Sequence, residues 1–313
     1  DDEGRAVGTG RFETLQADSR FQFLTPGEWG TAPIEAVHNP GLVTFLAEGW
    51  ALYEAQHPGV REVVPDVFYR PALRDKMSQG REPQAINGRV GYWCFETTTP
   101  LTETTYQAAR GAVDTALTTA QLVLDGESSA YGLCRPPGHH ATADLYGGYC
   151  FFNNAAVAAH HVAATTGAKV TILDVDYHHG NGTQQIFYDR DDVQYVSLHG
   201  DPARAYPYSI GFADETGTGR GLGHNINYPL PLRADDDLYV SALADACERI
   251  AGFGPSLLIV SLGLDTYITD PISDLAVTTD GMRRSGEVVR QLGMPTVVLQ
   301  EGGPWHVRGR LLE

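Results

Sequence analysis

Cysteine is scarce: Cys94, Cys134, Cys150 and Cys247 are the only four, and no two form a close CxxC pair. Sparse, scattered thiols exclude a disulfide framework and point to a reducing, cytoplasmic compartment. No apolar run approaches the ~18 residues that a membrane helix needs, and the acidic start Asp1-Asp2-Glu3 lacks the basic flank of a signal peptide. Positive charge is also short, with 22 Lys+Arg against 39 Asp+Glu and a net charge of −17. That balance argues against nucleic-acid and anionic-membrane partners, which both require a basic face. It is compatible with a small cationic substrate. No internal repeat, low-complexity tract or linker divides the chain, so its 313 residues read as one domain.

What is present is a globular composition, 42% hydrophobic and 19% charged, with 35 glycines that imply many tight turns. Residues 1–33 are polar and Gly-rich and contain no central-strand pattern. Apolar positions at helical spacing follow from Gly41 to Ala55, and Thr102 to Leu124 reads as a long helix. Between them, residues 70–100, including Arg74, Asp75, Lys76 and Met77, read as a long irregular connection. Short apolar runs then appear at Tyr131–Cys134, Val170–Val175, Val193–Leu198, Leu257–Leu262 and Thr296–Leu299. The later ones alternate with helical patterns at Asn154–Thr166, Asp236–Gly252 and Asp280–Leu292. Continuous apolar strands between helices predict a parallel α/β sheet covered on both faces, with ligands beyond the carboxyl ends of its strands.

The chemistry-bearing residues gather at those ends. The run Val170–Val175 leads into Asp174-Val175-Asp176-Tyr177-His178-His179-Gly180-Asn181-Gly182, and in an extended segment Asp176 and His178 point to one side. The run Leu257–Leu262 leads into Asp265. Two carboxylates and an imidazole that leave a fourth position open describe a catalytic rather than a structural Zn²⁺ site. A third cluster, Cys134-Arg135-Pro136-Pro137-Gly138-His139-His140, holds adjacent histidines in a rigid turn suited to acid–base work. Each histidine needs a partner on its far nitrogen, for which Asp174 and Asn181 are placed. A metal-activated water beside an imidazole base is a hydrolytic apparatus.

The strings RPPGHHA (135–141), GGYCFFNNAAVAA (147–159), ILDVDYHHGNGTQQIFY (172–188), SLHGDP (197–202), VSLGLDT (260–266) and QEGG (300–303) resemble the zinc-dependent histone deacetylase family, within it the bacterial acetylpolyamine amidohydrolases. The resemblance spans about His38 to Gly303. It implies the arginase/deacetylase α/β fold, with a mainly parallel sheet of roughly eight strands. It also implies that Asp176, His178 and Asp265 hold Zn²⁺, one ion per chain, and that His139 and His140 are the tandem catalytic histidines, with His140 the general base. Asp174 and Asn181 match their partners, Tyr149 and Tyr206 the aromatic walls of a substrate tunnel, and Gly148 a backbone contact beside the zinc. Asp174, Asp176, His178, Ser197 and Leu198 match a structural K⁺ site. Residues 70–100 match an insertion that narrows the tunnel and builds a homodimer, so a small acylated amine is the implied substrate.

The chain departs from the pattern in three places. The family tyrosine that polarises the amide carbonyl follows the EGG motif, but here Pro304-Trp305-His306 follows Glu301-Gly302-Gly303. A proline has no hydrogen to donate. The expectation is therefore a zinc amidohydrolase, with a catalytically weakened zinc protein that binds acylated amines as the alternative. The two acidic positions that meet a polyamine ammonium align with Asn87 and Thr98, with Glu96 nearby. Both ends of the matched region are short relative to the pattern, with an atypical stretch at residues 1–33. An arginase-like two-metal site fits less well, because tandem histidines stand where further metal carboxylates would be needed.

Overall fold

A computed structural model describes residues 17–19, 21–69 and 81–303. Six strands form one parallel sheet: β1 (Ser129–Gly132), β2 (Val170–Asp174), β3 (Val193–Gly200), β4 (Asn225–Leu230), β5 (Leu257–Leu262) and β6 (Thr296–Gln300). Their spatial order is β1-β6-β5-β2-β3-β4, with β2 paired to both β5 and β3. Roughly eight strands were expected; six lie among the described residues, where the chain from Phe21 to Gly30 runs without regular structure. Most of the atypical 1–33 stretch lies outside the described residues.

Helices cover both faces. The helices α1 (Ala32–Glu35), α2 (Pro40–Gln56), α3 (Ile86–Trp93) and α4 (Thr105–Leu124) precede the sheet. Four more are interleaved with the strands: α5 (Asn154–Thr166), α6 (Asn181–Phe187), α7 (Asp236–Phe253) and α8 (Thr279–Arg290). Alternation along β2 divides the core. Val170 and Ile172 join Ala112, Ala116 and Ala120 of α4 and the alanines of α5 on one face. Leu173 joins Leu243, Ala246 and Ile250 of α7 on the other. The alanine-rich seam lets α4 and α5 lie close against the sheet, where each buried valine, leucine or isoleucine contributes roughly 1.5–3 kcal/mol and each alanine methyl only about 0.8 kcal/mol. A third cluster, built on Phe45, Leu46, Trp93, Leu117 and Phe152, packs α2 and α3 against the outer side of α4.

The short helices α1 and α6 were not expected, and two further elements departed from expectation more plainly. Residues 81–93 include α3 rather than continuous irregular chain; Ile86, Val90 and Trp93 sit on its buried face, although Pro83, Gly88 and Gly91 read as breakers. The remaining part of that expected connection, residues 70–80 with Arg74, Asp75, Lys76 and Met77, lies outside the described residues. β4 has the sequence Asn-Ile-Asn-Tyr-Pro-Leu, too polar to read as a strand. Among the described residues it occupies the sheet edge, where a residue such as Pro229, which lacks an N–H, is tolerated.

The helix that carries the sheet's central crossover is pinned at its start. Asn153 caps α5 by accepting from Ala156 N at 2.9 Å, and Asn153 N donates to His38 Nε2 at 2.9 Å. The other His38 nitrogen pairs with Thr142 O at 2.9 Å. Burial holds His38 near pKa 4, with the Thr142 carbonyl opposing the shift only partly. The unfolded chain therefore binds a proton between about pH 6.5 and 4 that the folded chain does not, and stability falls with falling pH across that window. His38→Gln keeps a donor and an acceptor without titrating. Urea unfolding should then show the loss between pH 7 and pH 5 reduced by about 2 kcal/mol relative to the parent. Equal losses in the two proteins would show that His38 is not a source of the acid sensitivity.

Candidate metal centre

The sheet order creates the site. From β2 the chain moves outward to β3, whereas from β5 it moves the opposite way to β6, so the loops leaving the adjacent carboxyl ends of β2 and β5 diverge. Such a switch point opens a crevice without added machinery. Asp176 and His178 follow β2, Asp265 follows β5, and one ligand atom from each lies within 4.8 Å of the others. His178 Nδ1 sits 3.0 Å from Asp265 Oδ2 and 3.3 Å from Asp176 Oδ1. Backbone donors hold both carboxylates: Gly302 N reaches Asp176 Oδ2 at 2.8 Å, and Tyr177 N reaches Asp265 Oδ1 at 2.8 Å. A side chain at Gly302 would begin 2.7 Å from Asp176 and 2.9 Å from Asp265, so only glycine lets the chain pass there.

The donor set calls for a cation. Asp176 and Asp265 are buried side by side. Burial, reinforced by the charge of Asp176, pushes Asp265 up to about 7. Burial also opposes ionisation of Asp176, but the neighbouring His139 and His178 overcome it and hold this carboxyl far below its usual range. Burial likewise opposes the charged form of His178, yet its bonds to the two aspartates raise it to about 10. Two buried carboxylates that depend on an imidazolium for neutrality are suited to a divalent ion, and two oxygens with one imidazole nitrogen make a zinc-type set.

The tandem histidines lie alongside, with ring centroids 4.0 Å apart. His139 Nδ1 bonds Asp174 Oδ2 at 3.0 Å, and Tyr195 Oη donates to the same oxygen at 3.0 Å. His140 Nδ1 bonds Asn181 Oδ1 at 2.7 Å. One partner is a carboxylate and the other a neutral amide, and this difference sets the two rings apart. Burial disfavours charge on His139, but Asp174 and Asp176 outweigh it and hold the ring at about 10. Burial, together with the positive neighbours His139 and His178, drives His140 well below its ordinary value. Asn181 Oδ1 can only accept, so the Nδ1 of His140 carries the proton and its Nε2 presents a lone pair.

The approach to this centre is aromatic. The Tyr206 ring stands perpendicular to His140 at 4.9 Å and lies 6.1 Å from His178; its buried hydroxyl has no hydrogen-bond partner among the described residues. Tyr149 is 54% exposed. Gly148 adopts φ 61°, and a Cβ there would collide with the His140 ring. Ser197 pairs in register with Asp174 across β2 and β3, its hydroxyl bonding His199 Nδ1 at 2.8 Å, and Leu198 is buried beside it. Asn87 lies exposed on α3 and pairs with His57 Nε2 at 3.2 Å, while Thr98 donates to Glu96. Pro304, Trp305 and His306 lie outside the described residues.

Two carboxylates matter more than their sequence context suggested. Glu301 Oε2 accepts from Gly138 N at 2.6 Å and His139 N at 3.2 Å, so the end of β6 fixes the histidine turn. Burial pushes this carboxyl up to about 7. Glu96 accepts from Gly148 N at 3.0 Å and from the hydroxyls of Thr98 and Thr99, which makes it a brace for the Gly148 turn. An acidic residue directly before Gly302-Gly303 at a strand end was the available signal for Glu301. Glu96 had only its proximity to the Gly91–Cys94 segment.

Comparison with known proteins gives a consistent picture. The histone deacetylase domain model matches residues 10–307. Acetylpolyamine amidohydrolase 1 of Pseudomonas aeruginosa is 46% identical over 290 residues, covering 92% of this chain and 82% of that protein. Acetylpolyamine amidohydrolase of Mycoplana ramosa is 42% identical over 281 residues, covering 90% and 80%. The crystal structure of acetylpolyamine aminohydrolase from Burkholderia pseudomallei superposes with a TM-score of 0.88 at 39% identity, covering 96% of this chain and 85% of that one.

Proposed function

Because this chain belongs to the histone deacetylase domain family, we propose that it is a zinc-dependent amidohydrolase that removes acetyl or other short acyl groups from small amines, of the acetylpolyamine or acetyl-lysine type. One observation carries the reading: a two-carboxylate, one-imidazole donor set lies beside paired histidines whose far nitrogens have unlike partners. Asp176, His178 and Asp265 would hold the zinc, which when bound would supply Lewis acidity toward the amide carbonyl and lower the pKa of water.

The remaining steps belong to the chain. Tyr149 and Tyr206 flank the alkyl part of the substrate and exclude water from it. The Gly148 carbonyl accepts the amide N–H, so the acyl carbon faces His140. The Nε2 of His140 takes a proton from the attacking water and later gives it to the departing nitrogen; acetate and amine leave. His139, kept cationic by Asp174, adds positive potential where negative charge develops on the acyl oxygen. The substrate's own positive charge suits a chain of net charge −17. Acetate release from panels of acetylpolyamines and acetyl-lysine, with and without zinc, tests the assignment. Metal-independent release, or none with zinc loaded, overturns it.

A second reading rests on Pro304. With no donor at the position where the family supplies one, the developing oxyanion loses a hydrogen bond worth roughly 10²–10³ in rate. In that reading the protein holds acylated amines and cleaves them slowly. Pro304→Tyr should raise kcat by up to about a hundredfold with KM little changed. No gain would remove the missing donor as the cause of slow turnover.

The chain acts as one catalytic domain over residues 1–313. Its 70–100 segment narrows the passage and contributes to a homodimer. Asp174, Asp176, His178, Ser197 and Leu198 bind a structural K⁺, partly through backbone oxygen. The register pairing of Asp174 with Ser197 supports that arrangement. No helix among the described residues is long and apolar enough to cross a membrane, in keeping with work in the cytoplasm.

A further inference from the structure

Among the described residues, three other than glycine have positive φ: Tyr149 at 64°, Tyr208 at 68° and Arg233 at 57°. Two are tyrosines at the approach to the metal centre. A bulky residue in this region of backbone space is strained, and such strain gathers where a ligand is handled. Nothing else accounts for Tyr208. Its ring is 61% exposed, so core packing does not hold it there, and its hydroxyl bonds no described residue. The turn that carries it is closed by its own N–H, which donates to Ala205 O at 2.9 Å. Glycine would make the same turn without strain.

The ring instead continues a series. His140 meets Tyr206 edge-on at 4.9 Å, and Tyr206 meets Tyr208 edge-on at 6.2 Å. Each step leads from the metal ligands toward solvent. We infer that Tyr208 is a specificity-determining residue, whose π face receives the distal alkylammonium group of an acylated diamine or polyamine while Tyr206 flanks the chain nearer the acyl group. The inference rests on the amidohydrolase reading and narrows its substrate class to cationic acylated amines. It gives a role in cation recognition to an aromatic face, since Asn87 is engaged with His57, Thr98 donates to Glu96, and Glu96 braces the Gly148 turn. A cation over an exposed tyrosine face is a modest interaction, suited to a substrate that must also leave.

The test compares N-acetylputrescine, which carries the ammonium, with N-butylacetamide, its neutral counterpart of similar length. Calorimetry on zinc-loaded protein carrying His140→Ala holds both probes uncleaved. Tyr208→Gly and Tyr208→Leu should each raise the Kd for N-acetylputrescine about two- to fivefold and leave N-butylacetamide unchanged, whereas Tyr208→Phe should behave as tyrosine. The melting temperature of Tyr208→Gly should equal or exceed that of the parent, because the strain is gone. Weakening of both probes together, a Leu variant that binds the cation as well as Tyr, or a lowered melting temperature would make Tyr208 structural and overturn the inference alone. Binding of neither probe by the parent would overturn the amidohydrolase reading with it.

Discussion

Asp176→Ala should abolish zinc retention and lower acetate release by about a thousandfold or more, because several kcal/mol of transition-state stabilisation leaves with the ion. Three protein ligands are the usual complement of a catalytic zinc, and two do not suffice. Asp176 also accepts from Gly302 N and His178 N, so its loss strands two backbone donors. Asp176→Asn is the control, as it keeps an acceptor of the same shape but removes the charge. Metal content by atomic emission should fall from one zinc per chain to near zero in both variants, and only the alanine variant should also melt markedly lower. A protein that keeps its zinc after either change would show that the ion is held elsewhere.

His140→Ala should lower kcat about 10²–10⁴-fold, the range for loss of a positioned general base, while zinc content and KM stay near parental values. The distinction from its neighbour is the informative part. His139 is held charged by Asp174, whereas His140 faces a neutral amide and presents a free Nε2. His139→Ala should therefore cost less in kcat than His140→Ala. If the order is reversed, the proton-transfer role passes to the ring paired with Asp174, and the amide contact of His140 becomes a means of orientation. A loss below tenfold in His140→Ala would remove general-base work from that ring.

The candidate metal ligands were legible because they are local consequences of strand ends. Asp176 and His178 were expected to share a side of an extended segment, but β2 ends at Asp174 and they lie in the bend just beyond it; their position past a strand end, like that of Asp265 past a continuous apolar run, was what sufficed. The histidine partners were legible for the same reason, since Asp174 and Asn181 flank that segment. Glu301 was different. Its bond to His139 joins residues 162 positions apart, and only the insertion of β6 between β1 and β5 makes them neighbours. β4 was hidden because an edge strand tolerates asparagine and proline that a central strand would not. In α3 the glycines disguised a short helix whose stability comes from packing Val90 and Trp93. Tyr208 could not be read at all, because its significance lies in its φ rather than in its residue type.

The position of β6 also bears on how the chain is made. Among the described residues β1 pairs only with β6, and β6 seats between β1 and β5, so within that set the strand near residue 130 finds its sheet partner only once the one near residue 296 has been made. Synthesis at ~5–20 residues per second leaves that gap open for roughly ten seconds or more. Throughout that interval the His139 turn lacks the Glu301 carboxylate that fixes it, and over its last part the apolar edge of β5 lacks its final neighbour. A nascent chain would therefore bring the candidate metal ligands beyond β2 and β5 together shortly before the histidine turn is fixed. The histidine turn is completed at the step that also covers the open edge of β5.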